Sequence, residues 1–169
     1  KKILEEAGEK VGLVGTVATY IGNNKLYDSE RTTPEALELQ KLFRQMADEG
    51  CEYVVMEVSS QSLKLGRVDG CNFNIGLFTN LSEDHISKNE HPDMEDYFNS
   101  KCKLFDMTNN GIVNIDDVKG KELIERKSNC NFITYSINSE SDKKAYNISI
   151  SNILTTFNTS IHGKEELVK

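Results

Sequence analysis

Three short segments of this sequence concentrate groups that can do chemistry. Glu57-Val58-Ser59-Ser60 follows the apolar run Tyr53-Val54-Val55-Met56. Thr79-Asn80-Leu81-Ser82-Glu83-Asp84-His85 follows a second run that ends at Phe78, and Asn114-Ile115-Asp116-Asp117 follows Ile112-Val113. In parallel α/β sheets, ligands bind beyond the carboxyl ends of the strands. A carboxylate such as Glu57 and an imidazole such as His85 at adjacent strand ends can share a hard divalent cation, which serves phosphoryl chemistry. Polar residues also populate ordinary loops, but three such strand ends in succession favour a site. Arg67 follows Gly66. Its planar fork suits a phosphate or a carboxylate, and equally a surface salt bridge. Lys101, taken alone, reads as a solvated helix lysine. His91 and His162 have no evident partner in the sequence.

These segments need a scaffold, and the apolar periodicity predicts one. Lys1 to Lys10 reads as the end of a helix stopped at Gly8, which predicts further sequence upstream. Val11 to Val17 reads as a buried strand. Gly22-Asn23-Asn24 reads as the tip of a hairpin between Thr19-Tyr20 and Leu26-Tyr27. Thr33 as cap and Pro34 in the first turn predict a helix that runs to Gly50. Strands are expected over Glu52–Ser59, Asn74–Leu81, Gly111–Ile115 and Phe132–Tyr135, and helices over Asp93–Met107 and Asp116–Arg126. Apolar strands alternating with amphipathic helices imply an α/β fold, a mostly parallel sheet covered by helices. After about residue 137, Ser, Asn and Thr dominate, and Ile148, Ile150 and Ile153 suggest antiparallel strands in a small β-rich end region.

The 169 residues are 37% hydrophobic and 28% charged, as in a globular domain, with no run long enough to be a membrane helix. The net charge of −7 argues against nucleic acid as the main partner. Cys51, Cys71, Cys102 and Cys130 are scattered and form no metal-ligand spacing, which suggests free thiols in a reducing cytoplasm. No glycine-rich loop ending in Gly-Lys-Ser/Thr occurs. The only Gly-Lys pairs, at Gly120-Lys121 and Gly163-Lys164, precede Glu122 and Glu165, whose charge would repel a phosphate.

The run from Thr32 to Phe105 resembles the Mur ligase family, and its MurE branch in particular. The resemblance rests on Thr32-Thr33-Pro34, then Glu57-Val58-Ser59-Ser60-Gln61-Ser62-Leu63 with Gly66-Arg67-Val68, then Phe78-Thr79-Asn80-Leu81-Ser82-Glu83-Asp84-His85, then Met94-Glu95-Asp96-Tyr97 with Lys101 and Leu104-Phe105. It continues through Asn114-Ile115-Asp116-Asp117 and covers most of the chain. It implies the P-loop-NTPase-like central, ATP-binding domain of a three-domain enzyme. Residues 1–137 would form the α/β core downstream of the phosphate loop, and residues 138–169 its β-rich end. The UDP-binding first domain and the amino-acid-binding last domain would lie outside the chain.

The resemblance also implies a cytoplasmic activity in peptidoglycan synthesis. ATP activates the carboxylate of UDP-N-acetylmuramoyl-L-Ala-D-Glu as an acyl phosphate, and a third amino acid, diaminopimelate or lysine, attacks it to form an amide. Glu57 and His85 would be magnesium ligands. Lys101 would carry a carbamate that also contacts magnesium, in contrast to its reading as a surface lysine. Thr32, Thr33, Ser59 and Arg67 would hold the nucleotide-peptide, and Asn114 the ATP. The sequence departs from the family at Gln61, where some relatives carry His, and at Ile86-Ser87 with the inserted-looking Lys88-Asn89-Glu90-His91. The alternatives are a sister Mur ligase, a folylpolyglutamate synthetase, or a module that binds a nucleotide sugar without catalysis.

Overall fold

A computed structural model describes residues 1–84, 86–88, 90–127 and 129–169. The chain divides into two compact units. The first comprises residues 1–71 and 88–91, the second residues 72–87 and 92–169.

The first unit opens with the short helix α1 (Lys2–Glu6), which ends ahead of Gly8 in the left-handed region, φ +94°. Strand β1 (Val11–Val14) then pairs antiparallel with β2 (Ala18–Ile21), and β2 with β3 (Asn24–Asp28), which places Gly22 at the hairpin tip. Helix α2 (Ala36–Asp48) follows, then β4 (Tyr53–Met56) and the short helix α3 (Ser60–Lys64). The sheet order is β3-β2-β1-β4, with β4 parallel to β1. Leu42 and Met46 of α2 bury against Val14 and Ile21. A Cβ at Gly12 would stand 2.5 Å from the Met46 sulfur, so the glycine lets α2 lie close on β1. Helix α2 starts later than its sequence predicts. Glu35 occupies the cap position without a side-chain bond. The Thr33 hydroxyl is engaged instead with Glu57 and Ser59.

The second unit begins with β5 (Phe73–Phe78). Helix α4 (Met94–Cys102) tightens into a 3-10 turn over Lys103–Asp106 rather than continuing to Met107. Then come β6 (Thr108–Asn114), α5 (Val118–Arg126), β7 (Asn131–Ser136) and the two-residue β8 (Lys143–Lys144). Strands β5-β6-β7-β8 form an all-parallel sheet in that order. Phe78, Phe98, Cys102, Phe105, Val113 and Leu123 close its core, with Phe78 and Phe98 edge-to-face at 6.4 Å. Strands β9 (Tyr146–Ile150), β10 (Thr155–Ile161) and β11 (Lys164–Val168) form a separate antiparallel sheet.

Gly120 sits within α5, where helix propensity alone would favour alanine by about 1 kcal/mol. A Cβ there would lie 2.0 Å from the Asn114 carbonyl oxygen, a backbone atom that cannot swing aside. Gly120→Ala is therefore expected to destabilise the chain by about 1–3 kcal/mol, the cost of overpacking, in urea unfolding. A stabilised variant would show that α5 can lift away from β6 freely.

Candidate functional site

In the first unit, two parallel strands end together. Val14 of β1 is in register with Met56 of β4, so Gly15-Thr16 and Glu57 emerge side by side. The Thr16 hydroxyl donates to Glu57 Oε2 and lies 3.1 Å from the Thr32 hydroxyl. A Cβ on Gly15 would stand 3.0 Å from Glu57 Oε1, so the glycine leaves room for the carboxylate. Glu57 remains exposed.

The buried Thr33 hydroxyl ties this loop to the next. It donates to the Glu57 carbonyl at 3.0 Å and accepts from the Ser59 backbone N–H at 3.1 Å. Ser59 caps α3: its Oγ accepts from the Ser62 N–H at 3.1 Å, and Ser62 Oγ donates back to the Ser59 carbonyl at 2.6 Å. Among the described residues the Ser59 hydroxyl donates no hydrogen bond, which leaves its proton for a ligand. Past α3 the chain turns at Gly66, φ +71°, and the Arg67 N–H donates to the Ser62 carbonyl at 2.9 Å. The Arg67 side chain is only 11% exposed, and its Nε stands 3.0 Å from Glu35 Oε1. That contact is an ion pair without hydrogen-bond alignment, and Nε makes no hydrogen bond among the described residues. Thr32, Thr33, Glu57, Ser59 and Arg67 thus share one connected loop system.

The second unit presents its own strand ends. Asn114 closes β6, with its Nδ2 donating to the Thr79 carbonyl at 2.9 Å and its Oδ1 accepting from the Asp116 N–H at 3.0 Å. Asp117 caps α5 through the Lys119 N–H and also accepts from the Leu81 N–H at 2.9 Å. Together they pin the run from Thr79 to Leu81. The N–H groups of Ile137, Asn138 and Ser139 converge on Asp116 and hold its carboxyl at about 2. Lys101 lies half-buried in the last turn of α4, its Nζ 5.0 Å from the centre of the Tyr97 ring. Burial lowers its pKa below the ordinary lysine value. His85 lies outside the described residues.

Sequence reasoning missed Thr16, which it placed inside a strand. A Gly-Thr pair just past an apolar run was the available signal. It also left His91 without a partner. His91 is fully buried, and its Nε2 lies 2.9 Å from Ser60 Oγ. Among the described residues no group of three or more acidic, histidine or cysteine side chains converges, so Glu57 offers a single carboxylate.

The Mur ligase middle domain model matches residues 1–168. The UDP-N-acetylmuramoyl-L-alanyl-D-glutamate--2,6-diaminopimelate ligase of Clostridium botulinum is 48% identical over 99% of this chain and 34% of its own length. The Clostridium perfringens protein of the same name is 48% identical over 98% and 34%. The chain thus spans about a third of the length of these relatives. A solved structure of a ligase with that name superposes with a TM-score of 0.87 at 26% identity, covering 99% of this chain and 35% of that one. MurF ligase from Thermotoga maritima in complex with ADP shares the fold, with a TM-score of 0.63 at 13% identity over 98% and 35% of the two chains. Matched along almost its entire length, the chain belongs to the Mur ligase family, as a middle domain.

Proposed function

We propose that this chain is the central segment of an ATP-dependent ligase that adds 2,6-diaminopimelate to UDP-N-acetylmuramoyl-L-Ala-D-Glu in peptidoglycan synthesis. The choice of diaminopimelate over lysine rests on the names of the relatives. The observation that carries the substrate assignment is Arg67. It is nearly buried, its backbone N–H is held by the Ser62 carbonyl, and its Nε pairs with Glu35 without a hydrogen bond among the described residues. That Nε already faces a carboxylate, and an anionic ligand aligned with it would supply the hydrogen bond. The apolar side chains of Tyr53, Val54 and Val55 on β4, and of Ile75 and Leu77 on β5, are exposed. That exposure supports further domains of a longer protein covering them. A cytoplasmic location is supported by four cysteines outside any disulfide. No helix among the described residues is long and apolar enough to cross a membrane.

In the proposed reaction, an oxygen of the substrate carboxylate attacks the γ-phosphorus of ATP and the bond to ADP breaks. The amine of the incoming amino acid then attacks the acyl carbon, phosphate leaves, and the amine gives up a proton. Arg67 pairs with an anionic group of the nucleotide-peptide, and Thr32 and Ser59 orient it through their hydroxyls. Magnesium fits the donor set in kind, because Glu57, Thr16 and Thr32 supply hard oxygens. Such sites use one or two carboxylates plus substrate phosphates, and Glu57 can supply a carboxylate; His85 is a second ligand by the family resemblance alone. Bound there, the ion would neutralise charge on the transferring phosphoryl group.

The complete protein should release ADP only when the nucleotide-dipeptide and diaminopimelate are both present, and lysine should not substitute. ADP release independent of either substrate would sink the assignment. Arg67→Ala should raise KM for the nucleotide-dipeptide by roughly 10- to 100-fold, the worth of a charge-assisted hydrogen bond, with kcat largely retained. An unchanged KM would return Arg67 to an internal salt bridge with Glu35.

A further inference from the structure

In sequence, Lys88, Glu90 and His91 stand between β5 and α4, both elements of the second unit, yet they pack as part of the first. Two of their contacts end on α3. His91 is 0% exposed, with Nε2 2.9 Å from the hydroxyl of Ser60, itself 5% exposed. The direction of this hydrogen bond follows the imidazole tautomer. One turn further along α3, Lys64 Nζ donates to the Glu90 carbonyl at 3.1 Å.

A five-residue helix has little stability of its own, so its placement depends on such packing. Ser60 is the first residue of α3, directly after the cap Ser59. The Ser59 N–H sits on Thr33 Oγ1, and the Thr33 hydroxyl sits on the Glu57 carbonyl. At the other end of α3, the Ser62 carbonyl holds the Arg67 N–H. The buried imidazole therefore braces the helix that sets both Ser59 and Arg67.

We propose that His91 is a positioning residue for the nucleotide-peptide site, acting through Ser60 and α3 without touching the substrate. The proposal rests on the ligase reading above for the identity of that substrate. Removing the imidazole leaves Ser60 Oγ buried without this partner, and the first turn of α3 must shift or open to satisfy it. Ser59 and Arg67 would move with that turn. Ground-state binding should then suffer more than the chemical step.

The test compares His91→Leu, His91→Gln and Ser60→Ala in the complete protein. Leucine fills the space but cannot hydrogen-bond, whereas the glutamine amide reaches the position of Nε2. His91→Leu should raise KM for UDP-N-acetylmuramoyl-L-Ala-D-Glu about tenfold, the size of one buried hydrogen bond, with KM for ATP and kcat nearly unchanged. His91→Gln should recover most of that loss. Ser60→Ala should reproduce it, and the His91→Leu/Ser60→Ala double variant should be no worse than either single one. A merely structural histidine would instead lower kcat in proportion to the folded fraction and leave KM alone, which would overturn the proposal. Additive effects of the two substitutions would also overturn it. Amide hydrogen exchange gives a readout independent of turnover. The Ser62 and Leu63 amides should exchange faster in His91→Leu and return to the wild-type rate in His91→Gln. If the wild-type protein fails to ligate, the ligase reading fails, and the exchange rates still decide whether His91 holds α3. Unchanged exchange in His91→Leu would refute the brace itself.

Discussion

In the complete enzyme, Lys101→Ala is expected to be nearly inactive, and millimolar acetate or formate should restore part of the activity. The motive is the setting of the amine. Lys101 Nζ is half-buried on α4, and burial lowers its pKa, so more of it is neutral at a given pH than for a surface lysine. Only the neutral amine reacts with carbon dioxide. Its nitrogen forms a bond to carbon, one C–O pair moves onto oxygen, and the N–H proton passes to solvent, leaving a carbamate. A cationic side chain thereby becomes an anionic one, able to contact magnesium. A short carboxylic acid can fill the space that alanine leaves. Lys101→Arg should not be rescued, because it restores the wrong charge and occupies the space.

The competing use of Lys101 is as a plain cation over the Tyr97 ring, 5.0 Å away. Stability separates the two. A lysine whose folded pKa is lowered binds its proton more tightly when unfolded. Its charge opposes folding at neutral pH, and the penalty fades as pH rises toward the ordinary lysine value. Lys101→Met, which keeps the stem, should therefore fold at least as well as wild type at pH 7 while losing turnover. If Lys101→Met or Lys101→Ala is fully active without added acid, the carbamate idea fails.

Much of the scaffold can be read from the sequence because its strands are short apolar runs with turn residues at their ends. The hairpin at Gly22 and the parallel pairs β1–β4, β5–β6 and β6–β7 follow from that pattern. The failures are places where a side chain serves a distant partner rather than its neighbours. Thr33 looks like a helix cap, but its hydroxyl is taken by Glu57 and Ser59, and α2 starts past it. Helix α3 spans five residues, too short to show a helical period. Thr16 and Glu57 meet only because β1 and β4 are parallel and in register. Asn114, assigned to the nucleotide by resemblance, has its side-chain amide engaged by Thr79 and Asp116. The resemblance assigns Asn114 a nucleotide contact, whereas in the structure that side chain holds two strand ends together.

The second large effect is expected at Glu57. In the complete enzyme, Glu57→Ala should lower kcat by roughly 100-fold or more, as loss of one preorganised electrostatic group does. Glu57→Gln is the sharper variant. The glutamine oxygen can still accept from the Thr16 hydroxyl, so the loop geometry at the ends of β1 and β4 is kept while the charge is lost. A metal ligand needs that charge, and a loop brace does not. Glu57→Gln should therefore be almost as impaired as Glu57→Ala. Thr16→Val, which removes the hydroxyl and leaves the carboxylate, should lose far less. Neither Glu57 substitution should change stability by more than about 0.5 kcal/mol, because the side chain is exposed. The discriminating measurement is kcat of Glu57→Gln across a magnesium titration. Turnover near wild type at saturating magnesium would make Glu57 a loop residue. A deep loss that extra magnesium cannot repair would support its carboxylate as the group that places the ion at the transferring phosphoryl group.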